Sequence, residues 1–281
     1  MTGQTPIPAP PSSLKASFYG SGALLLSGLL VGGFYFPGYQ WLTGALLYYA
    51  WVFFWGLRHL HLHQRSKVPL KRLGGGFWVS WIRVTALGLL IGILGQLSLL
   101  EQYPWLAFGL YALIMGLDAI DGFAARSSGT ASEFGARLDN HTDALGIAAS
   151  SILAVWLKVL PPVYLLLSGG YFLFHAGLWI RERFGAVVYR DRMMNSLHNR
   201  YFAGVHMILL AVSLVPGCDP FVVGWAGGVG LVLLLTCFLR DWLLVSGVVD
   251  WEDGQARTIW TGMASSVING AGTLARFCMV V

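Results

Sequence analysis

The stretch that decides the fold runs from Asp118 to Asp143 and reads DAIDGFAARSSGTASEFGARLDNHTD. It holds four of the nine aspartates in the chain, and apolar runs flank it on both sides. Carboxylates in that setting are expensive and mark function by default. Asp118 and Asp121 are three residues apart, and Asp139 and Asp143 are four apart. On a helix, residues at those spacings share one face. The segment FAARSSGTASEFGA between the pairs has enough small residues to turn the chain back, so that two helices face each other and bring four carboxylates together. A solvated acidic loop between two membrane helices would explain acids near a membrane surface, but not their pairing at the helical period.

Four like charges at close range repel strongly, and bound cations are the natural remedy. Hard oxygen ligands without Cys or clustered His point to Mg²⁺, Mn²⁺ or Ca²⁺ rather than zinc. Two such ions about 3.5–4 Å apart are the usual arrangement for in-line displacement at phosphorus. Arg126 supplies a planar fork suited to phosphate. Gly122, Ala125 and Gly135 lack bulk, so a nucleotide or a neighbouring helix can approach closely.

The full pattern is D-x2-D-G-x2-A-R-x8-G-x3-D-x3-D, filled by Asp118, Asp121, Gly122, Ala125, Arg126, Gly135, Asp139 and Asp143. It resembles the signature of the CDP-alcohol phosphotransferase (CDP-alcohol phosphatidyltransferase) family of integral membrane enzymes, with every fixed position matched. The surrounding hydropathy extends the likeness to roughly residues 77–248. The resemblance implies an all-α, polytopic transmembrane helix bundle. It implies transfer of a substituted phosphate from a CDP-alcohol, foremost CDP-diacylglycerol, to an alcohol hydroxyl with release of CMP. Asp118, Asp121, Asp139 and Asp143 would then hold two divalent cations, Mg²⁺ or Mn²⁺. Asp143 would also be the general base, and Gly122, Ala125, Arg126 and Gly135 would line the nucleotide and diphosphate site. Homodimers are common in such a family. One departure is visible: members often carry a Pro-Asn…Thr…Arg signature upstream, and here Ser80 and Arg83 stand without the Pro-Asn. Arg83 has two readings, a side chain that snorkels to the headgroups or one that holds substrate phosphate.

Composition agrees with a membrane bundle. The 281 residues are 56% hydrophobic and 11% charged, with a mean hydropathy of +0.64. The net charge of +5 sits in loops, where positive-inside topology accounts for it without nucleic acid. Cys218, Cys237 and Cys278 have no metal-ligand spacing and suggest no disulfide framework.

In chain order, residues 1–17 read as a disordered tail without a signal-peptide pattern. Apolar runs at 18–36 and 40–57, joined at Pro37-Gly38, predict an accessory transmembrane hairpin that carries no chemistry. Together with the basic segment that follows, it makes up residues 18–76. His59, His61 and His63 lie in that segment, which reads as an interfacial stretch near anionic headgroups rather than a metal site. Six core spans follow within 77–248, at about 77–100, 104–121, 135–160, 163–180, 201–215 and 221–247, and residues 249–281 form a C-terminal tail. Eight spans put the motif and both termini on the cytoplasmic face of the inner or plasma membrane. The same face receives loop 181–200, with Arg181, Arg183, Arg190, Arg192 and Arg200. Those arginines explain orientation by themselves and equally suit an anionic acceptor such as a phosphorylated polyol. Other readings stay open: CDP-choline or CDP-ethanolamine transfer to diacylglycerol, and, in a different class, a divalent-cation transporter. A transporter should hold its acids near the bilayer midplane on interrupted helices.

Overall fold

The computed structural model describes residues 10–36, 38–65, 68–70, 73–127, 131–189 and 197–247, with 65, 68, 69, 125, 167, 168, 171 and 197–203 described in backbone only. The elements are α1 (Ser12–Tyr35), α2 (Gln40–His59), β1 (Gln64–Arg65), β2 (Val68–Pro69), α3 (Gly75–Gly95), α4 (Leu99–Gln102), α5 (Leu106–Ser127), α6 (Glu133–Trp156), α7 (Leu165–Arg183), α8 (Leu197–Ser213) and α9 (Pro220–Val245). The fold is all-α apart from the antiparallel β1–β2 hairpin, in which Gln64 pairs with Pro69 and Arg65 with Val68.

α1 starts earlier than the sequence predicts. The Pro11 carbonyl accepts from the N–H groups of Leu14 and Lys15, each at 3.1 Å, so helical order begins at Ser12, inside the expected 1–17 tail. Leu14 and Phe18 anchor these first turns and are completely buried. The Phe18 ring meets those of Phe53, Phe77, Trp81 and Phe134 at centroid distances of 5.3–6.4 Å. Residues 1–9 and the predicted tail 249–281 lie outside the described residues.

The two N-terminal helices are built into the same core as α3. The Tyr49 hydroxyl of α2 donates to the Gly22 carbonyl of α1. Against α3, Gly92 removes the bulk that would separate the backbones: a Cβ there would sit 2.5 Å from the Trp41 carbonyl oxygen of α2. Small residues at such crossings let helices pack by direct van der Waals contact, the main attraction available where water does not drive association.

α5 and α6 meet differently from the expected turn. α5 does not end at Asp121; it continues through Gly122, Ala125 and Arg126 to Ser127. Ala124, Ala125 and Arg126 are strong helix formers, and the first breakers arrive only at Ser127-Ser128-Gly129. α6 begins at Glu133 because Ser132 caps it, its Oγ accepting from the Gly135 N–H at 3.2 Å. Its far end falls at Trp156 rather than Leu160. Lys158 adopts φ 60°, and the N–H groups of Val159 and Leu160 both fold back to the Ala154 carbonyl.

The chain divides into two compact units, residues 1–173 with 197–235, and residues 174–196 with 236–281. The first contains the aspartate motif. In the second, the Tyr189 N–H donates to the Val245 carbonyl at 2.8 Å, and Arg240 pairs with Asp241 at 2.7 Å. Arg181 and Arg183 occupy the last turn of α7 in this second unit. Arg190 and Arg192 lie outside the described residues, and Arg200 is described in backbone only.

Among the described residues, four helical segments are long and apolar enough to cross a membrane: Ser12–Tyr35, Gly75–Gly95, Leu106–Ala124 and Pro220–Val245. Gly204–Ser213 is a shorter apolar helix. The protein is therefore a multi-pass integral membrane protein. Cys218 and Cys237 are free thiols, and Cys278 lies outside the described residues.

Candidate active site

Three helices build the site. α5 contributes Asp118 and Asp121, α6 contributes Asp139, Thr142 and Asp143, and α3 contributes Ser80 and Arg83. The helical spacings work as the sequence suggests: each pair projects from one face, and the two faces meet. One oxygen from each of Asp118, Asp121 and Asp139 lies within 4.8 Å of the others. Asp143 stands one turn further along α6, outside that group of three but still at the cluster.

Arg83 holds the four acids together. Its side chain has no solvent exposure. Nη1 pairs with Asp118 and Nη2 with Asp139. Asp121 Oδ2 is 3.5 Å from Nη2, and Asp143 Oδ1 is 3.6 Å from Nη1. Nη2 also donates to Thr142 Oγ1 at 2.7 Å, and the same oxygen lies 3.0 Å from the Leu138 carbonyl and 2.9 Å from that of Asp139. The snorkelling reading of Arg83 is thus overturned: its side chain is fully buried and turned to four carboxylates of α5 and α6. Formally, one positive charge faces four negative ones, which leaves the cluster three charges short of neutral.

Asp121 is the most enclosed of the four, with its side chain 8% exposed. Ser80 Oγ supports it from α3, lying 3.0 Å from both Asp121 Oδ2 and the Gly76 carbonyl oxygen. Such an outer partner fixes which way a ligand carboxylate points.

A cavity of about 210 Å³ opens beside the cluster. Asp121, Gly122, Arg126, Gly135 and Asp139 line it from the motif. Gly122 and Arg126 are one turn apart on α5, and the guanidinium lies over the glycine: a Cβ on Gly122 would be 3.2 Å from Arg126 Nη1. Gly135 has no such constraint, since its nearest neighbour, Ser132 Oγ, would be at ordinary contact distance. Ala125 is described in backbone only. Phe77, Ser80, Ser132, Phe134 and His63 also line it.

His63 is a residue that sequence reasoning placed elsewhere. It is 3% exposed, and its Nδ1 lies 3.1 Å from Ser132 Oγ, the cap of α6. The three histidines do not share a ligand site: His59 Nδ1 faces the Trp55 carbonyl at 2.9 Å, and His61 Nδ1 faces that of Arg58 at 3.0 Å. One residue of the segment expected to lie at the interface, His63, therefore lines the cavity. No local pattern announces this, because the contact spans 69 positions of sequence. Arg83 did carry a signal. An arginine inside an apolar helix needs counter-charges, and the motif supplies four aspartates.

The donor set is made of hard oxygens, which suits Mg²⁺ or Mn²⁺. The shortfall of positive charge and the convergence of Asp118, Asp121 and Asp139 both fit a divalent cation. A scan against family models matched residues 82–239 to CDP-alcohol phosphatidyltransferase. That match includes Arg83 and all eight motif positions. Searches against curated proteins and solved structures returned no match. With more than half of its 281 residues covered by the family model, the chain belongs to the CDP-alcohol phosphatidyltransferase family and is a membrane-embedded transferase.

Proposed function

We propose that the protein transfers a phosphatidyl group from CDP-diacylglycerol to the hydroxyl of an alcohol and releases CMP. The observation that carries this reading is the convergence of three carboxylates within 4.8 Å beside a cavity that also holds Gly122 and Arg126. Asp118, Asp121 and Asp139 would hold the cations, with Asp143 completing the set for two ions. Bound there, Mg²⁺ or Mn²⁺ would neutralise the diphosphate and stabilise charge as the bond to CMP breaks.

The chain's own groups do the rest. Arg126 donates its fork to the diphosphate across the open face of Gly122. Gly135 keeps the mouth of the cavity clear at the first turn of α6. Ser80 keeps Asp121 pointed into the site. Asp143 accepts the proton of the acceptor hydroxyl at a carboxylate oxygen, directly or through one water. Since the transferred phosphate already carries a lipid substituent, holding donor and acceptor in line supplies much of the rate.

The arginines of 181–200 support an anionic acceptor, a phosphorylated polyol, meeting the site from the cytoplasmic side. In this reading α1 and α2 are two spans ahead of a six-span core, and the basic segments 58–76 and 181–200 face the same compartment as the motif. The test supplies detergent-purified protein with CDP-diacylglycerol, Mg²⁺ and one alcohol at a time, and identifies the lipid product by mass spectrometry. One alcohol should yield a phosphatidyl product. Product formed only from CDP-choline or CDP-ethanolamine with diacylglycerol would reverse the assignment of donor and acceptor.

A further inference from the structure

We propose that Arg83 is a tethered cation that holds the aspartate cluster together in the absence of metal and competes with metal for it. The inference rests on the metal-binding reading of the preceding subsection and adds a role for a residue outside the eight-position motif.

The geometry is specific. The guanidinium is completely buried, and its two terminal nitrogens pair with Asp118 and Asp139, two of the three carboxylates that could take a cation together. The remaining two acids lie at 3.5 and 3.6 Å. Thr142, held to the α6 backbone, fixes the fork from below. Nε has no hydrogen-bond partner among the described residues, so the side chain is committed to the cluster through its two terminal nitrogens. An arginine placed to bind only substrate would have no need to engage four acids at once.

Two consequences follow from charge. Without Arg83 or metal, four acids would face one another with no counter-ion in the cluster, an arrangement a protein interior tolerates poorly. With Arg83 present, an entering divalent ion meets a fixed positive charge. At a separation of ~5 Å, even with water's dielectric constant, that repulsion is worth about a factor of ten in affinity. Arg83 therefore trades metal affinity for a site that stays assembled between metal-binding events.

The test measures binding rather than turnover. Wild type and Arg83→Met are purified in Mn²⁺, stripped by dialysis, and titrated with Mn²⁺ while free ion is followed by electron paramagnetic resonance. Arg83→Met should bind Mn²⁺ about tenfold tighter than wild type, and its melting temperature should rise more on adding the ion. If Arg83→Met does not survive stripping, Arg83→Gln serves: its neutral amide removes the charge while keeping a donor for the carboxylates, so Mn²⁺ binding should still tighten. Equal or weaker binding by the variant that folds overturns the role of Arg83 and leaves the metal reading standing. No binding by wild type or variant sinks the metal reading itself.

Discussion

Replacing Ser80 with alanine removes the hydroxyl that lies 3.0 Å from Asp121 Oδ2. Alanine suits a helix interior better than serine, so α3 should form as before. Asp121 is nearly enclosed, and water has little access to replace the lost contact. A hydrogen bond to a charged group is worth about 1.5–3 kcal/mol. The Ser80 oxygen also lies 3.0 Å from the Gly76 carbonyl, so its single proton is shared and the low end applies. About 1.5 kcal/mol corresponds to about tenfold in an equilibrium constant. Losing the donor leaves Asp121 free to turn, and removing an outer partner of a ligand ordinarily weakens metal binding. In Ser80→Ala, the Mn²⁺ concentration for half-maximal CMP release should therefore rise about tenfold, with the rate at saturating Mn²⁺ close to wild type. An unchanged or lower midpoint would refute the claim that Ser80 orients a metal ligand.

Three further outcomes are expected. Asp143→Asn should abolish turnover while Asp118, Asp121 and Asp139 still take up Mn²⁺; wild-type turnover would remove Asp143 from the role of base. Gly92→Val should lower stability by about 1–3 kcal/mol, because a Cβ at that position meets the Trp41 carbonyl at 2.5 Å; an unshifted thermal denaturation curve in detergent would show that α2 and α3 do not pack this closely. Arg190→Gln with Arg192→Gln should raise the acceptor KM more than the donor KM, and unchanged kinetics would return the loop to a purely topological role.

The aspartate cluster was legible because its signal is local. Two acid pairs at helical spacing, a glycine and an arginine one turn apart, and a run of small residues sit in one short stretch. Helix positions were legible too, since apolar runs of about 20 residues admit few alternatives in a membrane. Helix ends were less so. α5 runs past Asp121 because alanine and arginine sustain it, and α1 starts at Ser12 because Phe18 finds partners contributed by α2, α3 and α6. Neither reason is contained in the local pattern. The same holds for the support of the site. Arg83 has an ion pair 35 positions away and another 56 away, and His63 meets Ser132 across 69. Such contacts exist only once the helices are arranged, and they turn an apparently accessory N-terminal region into part of the site's surroundings.

The central test of the site is the metal dependence of nucleotide release. Purified protein would be supplied with CDP-diacylglycerol and the acceptor alcohol, and CMP would be followed before chelation, after EDTA, and after excess Mg²⁺ or Mn²⁺, with Asp139→Asn in parallel. Release should stop with EDTA, return with either ion, and be absent in Asp139→Asn. CMP release that persists in EDTA, or that survives in Asp139→Asn, would contradict the metal-dependent reading.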